Sequence, residues 1–173
     1  MIRNHVAEEN RMTVSGETSM ASAPFGGAPD GIADSMAAEL VGYNLKRSYL
    51  VVRNAAQNAL DPLELRVVSM TALSLIVDNP GIAPSQIADA LQMERPNIVV
   101  IIDDLETRQL ISRARSKQDR RRFALTATVR GRRLRDQASA AVAAAEYRAL
   151  GALSDAEIGQ LMALLRKIRS PGD

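Results

Sequence analysis

The sequence contains no cysteine and a single histidine, His5. Without cysteine there are no disulfides, thiolate metal sites, thiol nucleophiles or thiol redox switches. One histidine leaves little room for a histidine general base or for zinc chemistry. Tryptophan is absent as well, and Phe25, Phe123, Tyr43, Tyr49 and Tyr147 supply all the aromatic rings. No run reaches the roughly 18 apolar residues that a membrane span requires. The opening Met-Ile-Arg-Asn-His lacks the continuous apolar core of a signal peptide. These gaps predict a cytoplasmic protein with no membrane contact, no catalytic residue, no metal and no cofactor.

What remains is an ordinary globular balance, 46% apolar and 24% charged over 173 residues. That is enough for one domain, or one domain with a tail. The net charge of +2 hides a strong asymmetry. Residues 108–135 hold eleven Arg or Lys against one acid, Asp119, a local charge of +10, so the rest of the chain carries −8. Such an excess points to a polyanion, nucleic acid ahead of an anionic membrane.

Residues 1–32 contain four Gly, two Pro and no sustained apolar period, which predicts a disordered tail. From Asp34 or Ser35, Met36, Leu40, Tyr43, Leu45, Leu50, Val51 and Val52 predict one helix to about Asn58, roughly 37 Å long. A helix of that length overshoots a small domain and suits packing against a second chain. Asp61-Pro62 predicts the start of a second helix, with Leu65, Val68, Ala72, Leu73 and Ile76 inward, ended by Asn79-Pro80-Gly81.

Two short helices follow. Pro84-Ser85-Gln86 opens the first, with Ile87, Ala88 and Leu91 inward. After the turn Gln92-Met93-Glu94, Arg95-Pro96 opens the second, where Ile98, Ile101, Ile102 and Leu105 form one stripe. Beyond Leu110 the period changes to two: strands over Ile111–Arg115 and Arg122–Ala127, joined by a charged turn. Thr128 is placed to cap an Ala-rich helix to about Leu150. Ser154-Asp155-Ala156-Glu157 has capping-box spacing and opens a last helix carrying Ile158, Leu161, Met162, Leu165 and Ile168.

A helix-turn-helix with a basic hairpin behind it is a winged helix, and the charge gives it a ligand. A recognition helix offered end-on enters the major groove, where Asn pairs with adenine and Arg with guanine. Ser85, Gln86, Arg95, Pro96, Asn97 and Val100 are therefore candidate DNA contacts. Arg113, Arg115, Lys117, Arg120 and Arg121 on the hairpin are candidates for the phosphate backbone and a narrow minor groove. Arg132, Arg133 and Arg135, one helix further on, suit either DNA or solvent. The acids Asp103, Asp104 and Glu106 are read as helix-surface partners of basic residues, not as a metal or catalytic cluster.

Several separated motifs keep one spacing together. Ile87-Ala88 with Leu91, Ile102-Asp103-Asp104-Leu105-Glu106 and Leu110-Ile111-Ser112-Arg113 resemble the helix-turn-helix and first wing strand of MarR-type regulators. Asp119-Arg120-Arg121, Thr128 and Gly131 resemble that family's wing tip and the entry to its next helix. The resemblance spans about residues 35–170. It implies a homodimer held by the first and last long helices, with two winged lobes on a palindromic duplex operator. It also implies that Arg121 enters the minor groove, and that Asp119 orients the wing-tip arginines through paired hydrogen bonds. Gln109 replaces a usual Gly, Ala127 a usual Leu, and Val99-Val100 a common Thr-Arg, which leaves Asn97 as the leading base reader.

The resemblance implies a small organic effector between the dimer helices and the lobe. Tyr43, Arg47, Tyr49 and Arg53 are candidates there, since Tyr stacks and Arg pairs with an aromatic carboxylate. The alternative is that they are core tyrosines and interface arginines. Gly42-Tyr43-Asn44-Leu45-Lys46-Arg47 resembles first helices of members answering to aromatic acids and their thioesters. The sequence therefore predicts a mainly α fold with a small β-hairpin wing. Residues 33–60 and 129–170 are expected to form the dimerisation region, and 61–128 the DNA-binding winged helix-turn-helix. The expected function is a transcriptional regulator, a repressor released by the effector. The competing reading is a winged-helix protein-interaction module that no longer binds DNA.

Overall fold

The computed structural model describes residues 33–115 and 123–170, so the tail 1–32 lies outside the described residues. The elements run α1 (Ser35–Ala38), α2 (Val41–Leu60), a 3-10 turn (Asp61–Leu63), α3 (Val67–Asp78), α4 (Pro84–Leu91) and α5 (Arg95–Thr107). They continue with β1 (Ile111–Arg115), β2 (Phe123–Ala127), α6 (Val129–Ala149) and α7 (Asp155–Arg169). The strands pair antiparallel with Ile111 opposite Ala127 and Arg115 opposite Phe123. An isolated bridge joins Ile82 to Leu125 as a rudimentary third strand.

The expected continuous first helix is broken at Leu40, whose backbone is extended. Leucine is a good helix former, so no local propensity marks the break. Asn44 supports it by donating its side-chain amide to the carbonyls of Ala38, at 2.6 Å, and Leu40, at 3.0 Å. Asp34 precedes α1 without a side-chain capping bond, and its carboxylate accepts from the Tyr43 hydroxyl at 2.8 Å instead.

The second helix begins at Val67, five residues after Pro62, which sits in the 3-10 turn. A distant residue sets that start. Gln57 of α2 accepts from the Val67 amide at 3.2 Å and donates to the Leu65 carbonyl at 3.0 Å. It satisfies the orphan amide that a local capping residue would otherwise serve.

The winged lobe has one contiguous core. Ala72, Leu73 and Ile76 of α3 meet Ile87 and Ala88 of α4, then Ile98, Ile102 and Leu105 of α5, with Leu110, Ile111 and Leu125 closing the wing side. A smaller cluster of Leu60, Leu65 and Ala138 joins α2 and α6, which pack along each other. Leu125 is fully buried, whereas Phe123, two residues before it in the same strand, is 36% exposed. Thr128 caps α6 as predicted, accepting from the Gly131 amide at 3.0 Å. A Cβ on Gly131 would lie 1.9 Å from the Leu110 carbonyl oxygen, so only glycine lets α6 approach the wing base this closely. The capping box at α7 forms as well: Ser154 Oγ accepts from the Glu157 amide, and Glu157 accepts from the Ser154 amide at 2.8 Å.

Candidate nucleic-acid interface

The recognition helix α5 is seated by Ile98, Ile102 and Leu105, each 1% exposed or less. That stripe leaves Arg95, Pro96 and Asn97 of the first turn exposed to solvent. Val99 and Val100 are exposed beside them, Val100 at 69%. A helix with no charged side chain fastened over its first turn can enter a groove end-on. In α4, Ser85 is half-buried and Gln86 exposed; Gln86 also accepts from the Ala83 amide at 2.9 Å, which fixes the start of that helix.

The wing divides into residues that brace and residues that face outward. Arg113, expected to face DNA, is turned inward against α5. Its guanidinium pairs with Asp103 and, at 3.1 Å, with Glu106. Burial of the alternate positions of β1 and a carboxylate pair one turn apart on α5 make this the low-energy direction. The acids of α5 are thus surface partners, with Asp104 also 3.8 Å from Arg108. Arg113 lies 5.5 Å from the centroid of the Phe123 ring and Arg115 lies 4.7 Å from it, so the ring holds two guanidinium groups at the wing. Lys117, Asp119, Arg120 and Arg121 lie outside the described residues.

Gln109 adopts φ 59°, the left-handed conformation that a glycine takes without strain. The Thr128 hydroxyl donates to its carbonyl at 2.8 Å, which holds the join between α5 and β1.

The four candidate effector residues do not form one site. Tyr49 and Arg53, one turn apart, line a cleft of about 410 Å³ between α2 and the lobe, together with Arg66, Thr71, Leu91 and Met93. Tyr43 and Arg47 are the preceding pair, and six residues of helix rotate Tyr43 about 120° away from Tyr49. Arg47 lies over the Tyr43 ring at 5.8 Å and lines a separate groove with Leu50 and Leu150. The bond to Asp34 raises the Tyr43 phenol above its ordinary pKa, so it is neutral at pH 7.

Sequence reasoning passed over a second cleft, of about 530 Å³, between the start of α3 and α5. Asn97, Val100, Ile101 and Asp104 line it. It shares Arg66, Val68 and Met93 with the first, so the two adjoin between Tyr49 and the recognition helix. Non-local packing creates that adjacency, and no motif encodes it. Among the described residues no cluster of acids or histidine could hold a metal ion, and no helix is long and apolar enough to cross a membrane.

Comparison with known proteins places this geometry. The MarR family profile matches residues 65–123. A candidate transcriptional regulatory protein for the hcr operon of Thauera aromatica is 33% identical over 78% of this chain and 81% of its own length. The transcriptional repressor CouR bound to a 23-mer DNA duplex superposes with a TM-score of 0.74 at 33% identity, covering 80% of this chain and 98% of that one. CouR from Rhodococcus jostii RHA1 bound to p-coumaroyl-CoA gives 0.69 at 34% identity, covering 79% and 96%.

Proposed function

The chain belongs to the MarR family of transcriptional regulators, and from that premise we infer that it binds a palindromic operator as a homodimer and represses until an organic effector releases it. One observation carries the DNA reading: the first turn of α5 is exposed at Arg95, Pro96 and Asn97, while three fully buried side chains fix its direction. The basic wing follows at once.

Asn97 is the proposed base reader, and Val99 and Val100 offer methyl contacts to thymine. Arg115, Lys117, Arg120 and Arg121 take the backbone and minor groove, with Asp119 orienting the tip. Ser85 and Gln86 approach the backbone from α4. Arg113 acts through α5: its pairs with Asp103 and Glu106 set the angle between wing and recognition helix. Two-fold symmetry comes from the terminal helices, where Met36, Leu40, Val41, Met162, Leu164 and Ile168 are exposed large apolar side chains that a monomer leaves in water.

The adjoining clefts at Tyr49 and Arg53 and at Asn97 support the effector half of this reading. Their volumes suit a small ligand, and the relative bound to p-coumaroyl-CoA favours an aromatic acid or its thioester. An occupant lying against α5 changes its position relative to α2, and with it the spacing of two lobes matched to major-groove sites about 34 Å apart.

Enrichment of genomic fragments on the purified protein, followed by a salt titration, tests the DNA reading. A specific operator emerges, and its affinity falls by about 0.9 log units per tenfold salt for each phosphate contact. Arg121→Ala weakens all sequences alike, and Asn97→Ala relaxes sequence preference. If no fragment is enriched at moderate salt, the winged lobe serves protein contact instead. p-Coumaroyl-CoA and salicylate should raise the melting temperature of the wild type but not of Tyr49→Ala/Arg53→Gln.

A further inference from the structure

The basic stretch of the sequence is divided by the fold into two separate groups. Arg115 stands toward the tip of the hairpin, whereas Arg108, Arg130 and Arg133 surround a cleft of about 600 Å³ at its base. Thr128 fixes that location, because its hydroxyl donates to the Gln109 carbonyl where α5, β1 and α6 meet. Five residues of strand separate base from Arg115 by about 13 Å. The basal cleft shares no lining residue with the one at Tyr49 and Arg53, and only Glu64 with the one at Asn97.

Arg130 and Arg133 lie on one face of α6 with Leu134, at i, i+3 and i+4. Among the described residues neither has a hydrogen-bond or ion-pair partner. Arg108 is pre-positioned: its guanidinium donates to the carbonyls of Glu64 at 2.7 Å and Leu63 at 3.1 Å. Glu64 is the acid in the lining, which leaves the cleft with a net charge of +2. Leu63, Val129 and Leu134 supply an apolar wall.

We propose that this cleft binds a small organic phosphate, with the dianion held by Arg130 and Arg133 and the body against the apolar wall. Guanidinium forks match phosphate oxygens in pairs. A dianion balances the lining, and a single carboxylate leaves half of it unbalanced. The occupant bridges the end of the recognition helix, the turn after α2 and the start of α6, so it ties the lobe to the long helices.

Calorimetric titration of the full chain with phenyl phosphate tests the assignment. Saturable binding is expected at about one per chain, weakened about tenfold or more in Arg130→Gln/Arg133→Gln. Inorganic phosphate binds more weakly than phenyl phosphate if the apolar wall takes part. Tyr49→Ala/Arg53→Gln binds phenyl phosphate like the wild type. Both arginines are exposed, so the double variant keeps its fold and its thermal melt. Its operator affinity and salt slope also stay at wild-type values. The proposal is overturned by absence of saturable binding, by unchanged binding in the double arginine variant, or by loss in Tyr49→Ala/Arg53→Gln. Equal binding of the two phosphates removes the organic body from it. A weaker operator complex with a shallower salt slope assigns Arg130 and Arg133 to duplex phosphates instead.

Discussion

The winged lobe and the terminal helices use apolar residues in opposite ways. In the lobe, Leu73, Ile76, Ile87, Ile98, Ile102 and Leu105 are buried within one chain. In α7 no residue is buried, and Ile168 is 59% exposed. The first half of α2 and the short α1 are exposed in the same way, down to Met36 at 85%. Both regions have a helical apolar stripe, so periodicity alone does not separate a finished core from one that awaits a partner. Length does: the first half of α2 and the whole of α7 reach past the lobe, and no described residue of the chain buries their apolar side chains.

The sharpest way to expose this difference is to damage each region separately. Ile102→Ala removes a fully buried side chain from the lobe and should cost about 3–4 kcal/mol. Urea denaturation reads that loss, and the shortfall should be the same at every protein concentration. A loss of under about 1 kcal/mol would mean that the lobe core is less complete than its burial indicates.

Leu164→Glu/Ile168→Glu places two charges on the uncovered face of α7. Both subunits carry the change, so four apolar contacts of about 1.5 kcal/mol each are lost, which raises the dimer dissociation constant by roughly 10,000-fold. Light scattering should show monomer where the wild type is dimeric, with the lobe still folded by circular dichroism. A variant that remains dimeric places the subunit interface elsewhere.

The lobe was also the more legible region. In the lobe the stripe Ile98–Ile101–Ile102–Leu105 and the cap at Thr128 are local patterns that the structure forms, as it does the box at Ser154–Glu157 outside the lobe. The second strand is legible because Leu125 and Ala127 alternate with Ala124 and Thr126, although Phe123 departs from that pattern and Arg122 lies outside the described residues. What could not be read depends on distant partners. The start of α3 is set by Gln57 across the turn. The left-handed Glu64 has its carbonyl held by Arg108, 44 residues away. The inward turn of Arg113 needs the carboxylates of α5 at the right height, which spacing along β1 does not state. Likewise Tyr43 and Tyr49 share a helix and a residue type, and only the packing of α2 on the lobe separates their roles.

A smaller change sharpens the comparison inside the lobe itself. Gln109 carries φ 59° at the exit of α5, a conformation that costs an L side chain about 1 kcal/mol or more. Glycine removes that cost but loses more entropy on folding, so Gln109→Gly should stabilise by about 0.5–1 kcal/mol. An upward shift of the urea midpoint without change of slope reads it. Destabilisation would show that the Gln109 side chain makes a contact worth more than its strain.

The smallest effect belongs to α7 and depends on pH. Hydrogen bonds from the Ser154 amide and hydroxyl hold the Glu157 carboxyl below its ordinary pKa. A depressed folded value means that the stabilisation is complete above the unfolded value, about pH 4.3. It is lost as pH falls through the folded value, because protonation removes the charged acceptor that the box uses. Glu157→Ala should therefore melt slightly below the wild type at pH 7, and the gap should narrow below about pH 4. Glu157→Gln can still close the box through its amide oxygen. It should keep part of the advantage over Ala with no titration in this range. A gap that is constant from pH 7 to pH 3.5 would assign the stabilisation to helix propensity alone. Because α7 has no buried residue of its own, the difference should appear as fraying of its first turn, read by amide exchange at Glu157 and Ile158, while exchange in the lobe stays unchanged.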